Sequence, residues 1–365
     1  MSIPTTTREY FFTEIGTYEN LKLREAPLRA PKSFEVLVKI HAVSLQVRTL
    51  SWELITTLTT LFLQHRDLSI SKGRYRAQPP PELVPCSDMA GEIVAVGEDV
   101  KGWKVGDRVC ANFNADHVHG DLTPEIFQTG HGGQINGVLT RYKVFQPHSL
   151  VRIPDHLSFE EASTLPCAAV TAYNALWGPV PLKPGDTVLV QGTGGVSIFA
   201  LQFAVASGAT VIATSSSDEK LQIAQKLGAK HLINYKKTPD WDQEVLKVTN
   251  GKGVDHVVEV GGAGTLDKSM SAVRYHGWIH VVGAVSGVAG GQDNIIIGSI
   301  GKAITIRGIC IGSVAQLEDM NRIIRAHPEI TRPVVDKMFE FKDAVKAYAH
   351  LKSQAHVGKV VIKVD

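Results

Sequence analysis

The chain has little cysteine and no cysteine pattern. Four of its 365 residues are cysteine (Cys86, Cys110, Cys167 and Cys310), with no CxxC or CxxH spacing among them. That argues against a disulfide-stapled secreted fold and reads as buried thiols in a reducing compartment. Charge of one sign is also missing: 38 basic against 36 acidic residues leave +2. Nothing there suggests a nucleic-acid or membrane surface, so neither partner is expected. No apolar run is long enough to span a bilayer; the most apolar segment, Trp52 to Leu63 (WELITTLTTLFL), is too short. Met1 to Glu9 has no apolar signal core and Gly358 to Asp365 no address tag, so the expected location is cytoplasmic. No internal repeat is evident.

What is present suits an ordinary globular chain. Hydrophobic residues make 44% and charged residues 20%, enough at this length for about two domains. Up to about residue 157 the pattern is β-rich. Residues 35–45 (EVLVKIHAVSL) alternate with period two, and 90–112 read as strand, glycine turn, strand. The texture changes at Ser158, which with Glu161 forms a capping box. Strands and helices then alternate. Strands are expected at 187–191, 209–214, 254–260 and 278–285, and helices at 194–207, 217–227 and 266–274. This rhythm predicts a doubly wound parallel sheet. The tail predicts helices at 317–326 and 342–352 and a closing strand at 359–364. The expected class is α/β, with domains at 1–157, 158–312 and a return segment at 313–365.

The strongest chemical signal is Val188-Leu189-Val190-Gln191 running into Gly192-Thr193-Gly194-Gly195-Val196-Ser197. A strand leads in and an apolar helix leads out, the setting a dinucleotide loop requires. Gly192 allows the turn, Gly194 lets backbone approach a pyrophosphate, and the helix start offers unpaired N–H groups. Ser197 replaces the third glycine. NAD sites place an acid about 20 residues farther on for the ribose hydroxyl. Here 210–217 reads TVIATSSS, without an acid. Ser215, Ser216 and Lys220 can instead take a 2′-phosphate, so the expected cofactor is NADPH (NADP+). Ser216 with Glu219 also reads as a capping box, and the two roles are compatible.

Several stretches together resemble the medium-chain dehydrogenase/reductases. They are EVLVKIHAVSL (35–45), GEIVAVGEDVKGWKVGDRV (91–109), GGQINGVLTRYKVF (132–145), ASTLPCAAVTAYNAL (162–176), the glycine loop and VGKVVI (357–362). The resemblance covers most of the chain. It implies a GroES-like β-rich catalytic domain, a Rossmann domain and a return to the first domain. It is greatest to the zinc-free branch of quinone oxidoreductase-like and zinc-type alcohol dehydrogenase-like proteins. The zinc enzymes carry a Cys after the first strand and Gly-His-Glu farther on; here stand Ser44-Leu45-Gln46 and Pro85-Cys86-Ser87-Asp88. No four closely spaced cysteines are available for a structural zinc. His117, His119 and His131 read as an exposed polar loop lining the cleft, and no metal is expected.

The resemblance implies that the strand should continue VSLNYRDL. Instead Val43-Ser44-Leu45-Gln46 and His65-Arg66-Asp67-Leu68 are separated by residues 47–64. The segment begins Val47-Arg48-Thr49 and ends at Gln64, codons compatible with an intron read through in frame. The alternative is a genuine surface helix or lid. With 47–64 set aside, Gln46 and His65 stand where the family has Asn and Tyr beside the nicotinamide, and His65 could donate a proton. By the same resemblance, Thr171 abuts the nicotinamide and Tyr235 lies near the adenosine phosphate. Gly261 and Gly283 sit in loops under the cofactor, and Gly312 and Gly358 complete the nicotinamide side. The implied activity is zinc-independent hydride transfer to an enone, enoyl or quinone small-molecule substrate. A zinc-free alcohol or aldehyde dehydrogenase and an NADPH-binding protein with little catalysis are the alternatives, and a homodimer is one admissible assembly.

Overall fold

The computed structural model describes residues 3–46, 66–73, 79–285 and 292–364. The N-terminal half opens with β1 (Thr6–Phe12) paired to β2 (Leu21–Pro27). Then come β3 (Val36–Ser44), the short helix α1 (Arg66–Ser71), β4 (Asp88–Val96), β5 (Arg108–Ala111), α2 (Pro124–Phe127), β6 (Tyr142–Phe145) and β7 (Leu150–Arg152). The alternation in β3 places Val36, Val38 and Ile40 in a core with Met89, Ile93 and Val109 from β4 and β5.

The helical texture begins where the capping box predicts. Ser158 caps α3 (Phe159–Ala162), with both reciprocal bonds to Glu161 present. A π-helical turn, Leu165–Ala169, leads into α4 (Val170–Leu176). Six strands follow with intervening helices: β8 (Thr187–Gln191), α5 (Gly195–Ala206), β9 (Thr210–Ser215), α6 (Asp218–Lys226), β10 (His231–Asn234), α7 (Trp241–Val248), β11 (Val254–Glu259), α8 (Leu266–Ala272), β12 (Val273–Val281), α9 (Gln292–Lys302) and β13 (Thr305–Gly308). They make a parallel sheet in the order β10-β9-β8-β11-β12-β13. This is the doubly wound arrangement, and its order reverses between β8 and β11. One face packs Val190, Val211 and Ala213 against α5; the other packs Leu189, Ile212 and Val257 against α7 and α8.

The chain then returns through α10 (Val314–Ala326), β14 (Val335–Glu340), α11 (Ala344–Ser353) and β15 (Lys359–Lys363). β15 pairs antiparallel with β3, extending the first half's sheet to β14-β15-β3-β4-β5-β7, with β6 also on β3. Two local expectations need correction. The strand expected from 278 begins at Val273, because His276 takes a positive φ of 55° and Gly277 packs against Val273, so the chain bends without leaving the sheet. The cap of α6 is Ser217 rather than Ser216: the Ser217 hydroxyl accepts from the Lys220 N–H at 3.3 Å.

Candidate active site

At the end of β8 the chain turns through Gly192, whose φ is +69°. A Cβ added at Gly192 or Gly194 would meet nothing within 4 Å, so the loop fronts open space. Gly194 is the N-cap of α5, and no side chain caps it. The first-turn N–H groups therefore present themselves to a ligand. Ser197, in place of a third glycine, donates to the Gln191 carbonyl at 2.7 Å and closes the turn from inside. Thr193 is buried and its carbonyl accepts from Gly358 N–H at 3.0 Å; Gly195 and Val196 form the first turn of α5. The loop lies where the strand order reverses, and these features fit a dinucleotide pyrophosphate.

The fold brings Ser215, Ser216 and Tyr235 together at neighbouring strand ends. Ser215 closes β9, and the Tyr235 N–H, just past β10, donates to the Ser215 carbonyl at 3.0 Å. No acid ends β9; Asp218, in the next helix, is engaged by Asn234 at 2.7 Å and by Lys237. Lys220 does not stand alone at this end. Its ammonium donates to the carbonyls of Gln354 at 2.9 Å and His356 at 3.2 Å, reaching across to the segment before β15.

Beneath the loop lies a buried carboxylate that sequence reasoning missed. Glu259, ending β11, accepts from Gln191 Nε2 at 2.8 Å, Thr265 Oγ1 at 2.6 Å, and the N–H groups of Gly261 at 2.7 Å and Gly262 at 2.9 Å. It fixes the Gly261 turn against β8. Its signal was an acid ending a buried strand, separated by one residue from two glycines. Gly283 follows β12 by two residues. Gly312 is a close-packing position: a Cβ there would meet Val170 Cγ2 at 2.5 Å. Next to Val170, Thr171 is buried, and its Oγ1 has no hydrogen-bond partner among the described residues. An orphaned hydroxyl of this kind suits contact with a bound cofactor.

The end of β3 carries a second polar cluster, all of it buried. The Gln46 N–H donates to Asp67 Oδ2 at 2.7 Å, and Gln46 Nε2 donates to Asp88. Ser87 Oγ donates to Asp88 Oδ1 at 2.6 Å. The Arg66 guanidinium pairs with Asp67 at 3.3 Å, donates to the His131 carbonyl at 2.6 Å and lies 4.3 Å from the Phe113 ring centroid. Lys359 Nζ donates to the Leu45 carbonyl at 2.6 Å. Burial pushes the Asp88 carboxyl up to about 7, with the Lys359 ammonium pulling the other way. Burial likewise raises Asp67 against the pull of Arg66, and lowers Lys359. From sequence, Asp67 with Arg66 is expected to brace the loop, Asp88 to stand at a zinc-ligand position, and Lys359 with Gly358 to complete the nicotinamide side. Their convergence on Gln46 and Leu45 is not expected, because they lie far apart in the chain. His65 and residues 47–64 lie outside the described residues.

The side chains gathered here are the Gln46 amide, the Ser87 hydroxyl and the Asp67 and Asp88 carboxylates, already engaged with one another and with Arg66. This is not the Cys- and His-rich set that zinc favours. Among the described residues no three His, Cys, Asp or Glu side chains gather in a metal-holding group. The loop histidines differ from expectation. His117 and His131 are buried, and only His119 is exposed. The His131 ring packs edge-on to Phe145 at 5.6 Å, and burial depresses its basicity strongly. Three of the four cysteines are buried free thiols and Cys310 is half-buried. No helix of the described residues is long and apolar enough to cross a membrane.

Comparison with known proteins covers both halves. The family pattern described as alcohol dehydrogenase GroES-like domain matches residues 32–155, and that described as zinc-binding dehydrogenase matches residues 195–326. A zinc-type alcohol dehydrogenase-like protein of Schizosaccharomyces pombe is 45% identical over 96% of this chain and 97% of its own length. Quinone oxidoreductase of Homo sapiens is 25% identical over 96% and 95%. The crystal structure of a candidate alcohol dehydrogenase from Sinorhizobium meliloti 1021 superposes with a TM-score of 0.85 at 34% identity, covering 99% of this chain and all of that one, 100%.

Proposed function

This chain belongs to the medium-chain dehydrogenase/reductase superfamily of oxidoreductases, and we propose that it is a zinc-independent, NADPH-dependent reductase of conjugated enones, enoyl compounds or quinones. The observation that carries this reading is the buried Gln46–Asp88 pair; the family resemblance implies metal ligands at these positions in the zinc enzymes. Without a Lewis acid, an unactivated carbonyl is a poor hydride acceptor, because the developing oxyanion has no clamp. A conjugated acceptor spreads that charge.

The loop Gly192, Thr193, Gly194, Gly195 and Val196 would hold the pyrophosphate. Ser215, Ser216, Lys220 and Tyr235 would hold the 2′-phosphate end, and Gly261, Gly283 and Gly312 would line the cofactor's path. The reduced nicotinamide supplies the hydride. On the protein side, Thr171 is assigned to the nicotinamide end. Gln46 is assigned to orient the substrate carbonyl, its amide held by Asp88 and its backbone by Asp67. His65 is assigned as the proton donor to the enolate. The absence of an acid at the end of β9 supports the preference for NADPH. The buried free thiols support a cytoplasmic location. Exposed Ile296 (59%), Ile297 (70%) and Ile300 (75%) on α9, beside the terminal strand β13, support a homodimer, which sedimentation would test.

The test is NADPH oxidation against a panel of enones, quinones and simple aldehydes, with metal analysis alongside. Turnover of the conjugated acceptors without zinc is the expected result. About one zinc per chain, with activity lost on chelation, would overturn the proposal.

A further inference from the structure

Lys359 is 3% exposed, and burying an ammonium is costly when an apolar side chain would fill the same space. Its surroundings indicate what the charge is for. The preceding residue, Gly358, has φ +74°, forms a parallel bridge with Gly194 and donates its N–H to the Thr193 carbonyl at 3.0 Å. The Lys359 stem then runs along the first turn of α5; a Cβ on Gly195 would come within 2.6 Å of Lys359 Cδ. Its ammonium ends on the Leu45 carbonyl at 2.6 Å, and Leu45 N–H is itself tied to the Val360 carbonyl at 3.0 Å. The next residue is Gln46, held by Asp67 and Asp88. One side chain thus spans from the glycine loop to the strand end that carries Gln46, assigned above to the substrate carbonyl.

We propose that Lys359 is a positioning residue that transmits the seating of the dinucleotide loop to Gln46. The inference rests on the reading of Gly192–Gly195 as the cofactor loop. The contact path is continuous: Gly194 and Thr193 to Gly358, Gly358 to Lys359, Lys359 to Leu45, Leu45 to Gln46. When a dinucleotide presses the loop into one position, Lys359 has one position too, and the Leu45–Gln46 backbone loses its alternatives. A simple counter-ion would also neutralise Asp67 and Asp88. It would not need to lie against the loop, and its removal would lower stability without altering any cofactor-linked signal.

Amide hydrogen exchange across residues 43–46 of the full chain, with and without NADPH, separates these roles. NADPH should slow exchange there by about tenfold in the parent, as expected for a shift toward the held state. Lys359→Met should keep NADPH affinity near the parent value but lose that protection, and kcat should fall by roughly tenfold or more with little change in the NADPH KM. Undiminished protection in Lys359→Met would overturn the proposal. So would loss of NADPH binding and stability together, the signature of a plain brace. If the variant does not fold, the parent decides alone: no cofactor-linked protection at 43–46 overturns the coupling. Turnover of the acceptor panel tests the proposed function separately, so either idea can fail while the other stands. If NADH proves the better ligand it replaces NADPH as the probe.

Discussion

The glycine loop after β8 and the Gln46 cluster, both assigned to the proposed hydride transfer, are built from opposite materials. Gly192 to Gly195 works with backbone, is contiguous in sequence and fronts open space. The Gln46 cluster works with side chains drawn from distant stretches. The Gln46–Asp67, Gln46–Asp88 and Leu45–Lys359 contacts join residues 21, 42 and 314 positions apart, all of them buried. The difference predicts different failures. Damage to the loop should cost ligand affinity and leave the fold standing. Damage to the cluster should cost the fold first, because its charges are buried together.

The sharpest break in that contrast is Asp67→Ala. It removes the carboxylate paired with the fully buried Arg66 guanidinium, so unfolding free energy should drop by about 3–5 kcal/mol. Denaturant unfolding checks this, and a loss under about 1 kcal/mol would mean the charges are not interdependent. The loop's counterpart is Gly194→Val. Its side chain would enter the empty space before α5 and weaken NADPH by roughly a hundredfold, with an unchanged melting temperature. A lowered melting temperature with intact affinity would reverse the comparison.

Removing residues 47–64 should add stability. The bond from Gln46 N–H to Asp67 already brings the flanks together. Joined directly, Gln46 would cap α1 with Asp67 as its third residue, the geometry of a capping box. Shortening the connection should raise unfolding free energy by about 2 kcal/mol through loop-closure entropy. A fall in kcat or melting temperature would instead make the segment a working lid.

A smaller effect is expected at Lys220. Its bonds to Gln354 and His356 carbonyls mean that it must be shared with, or drawn from, the segment before β15 when a phosphate arrives. Lys220→Ala should reduce the preference for NADPH over NADH by roughly tenfold. Equal binding constants in the parent would remove the 2′-phosphate assignment. The finest test is pH. Asp88 keeps its proton to about 7 in the folded protein, while its unfolded counterpart loses it near the ordinary value of 3.8. Between those pH values the unfolded state binds fewer protons, so this group makes stability fall as pH rises. Asp88→Asn should flatten that slope; an unchanged profile between pH 4 and 7 would show that Asp88 is ionised in the folded state.

Much of this is legible in the sequence alone. The strand-glycine-helix reading of 187–207 matched β8 and α5 within one residue at each helix end, because periodicity and turn chemistry there are local. The same holds for the box at Ser158. Illegible features had a shared cause. β14 reads VDKMFE, with no alternation to mark it, and exists because β15 pairs with it. The choice of Ser217 over Ser216 as cap depends on where β9 stops, a matter of pairing with β8 and β10. His131 looks like a loop histidine until Phe145 and Arg66 enclose it.

By itself the sequence determined the α/β class, the family and the strand–glycine loop–helix at 187–207. Each is written in neighbouring residues whose backbone preferences act over a turn or two. Only the tertiary structure decided that Lys359 lies beneath that loop, that Asp88 holds Gln46, and that Lys220 already has partners. Those outcomes depend on which distant charges share one buried volume. Burial fixes their energies, and no local pattern in the chain encodes it.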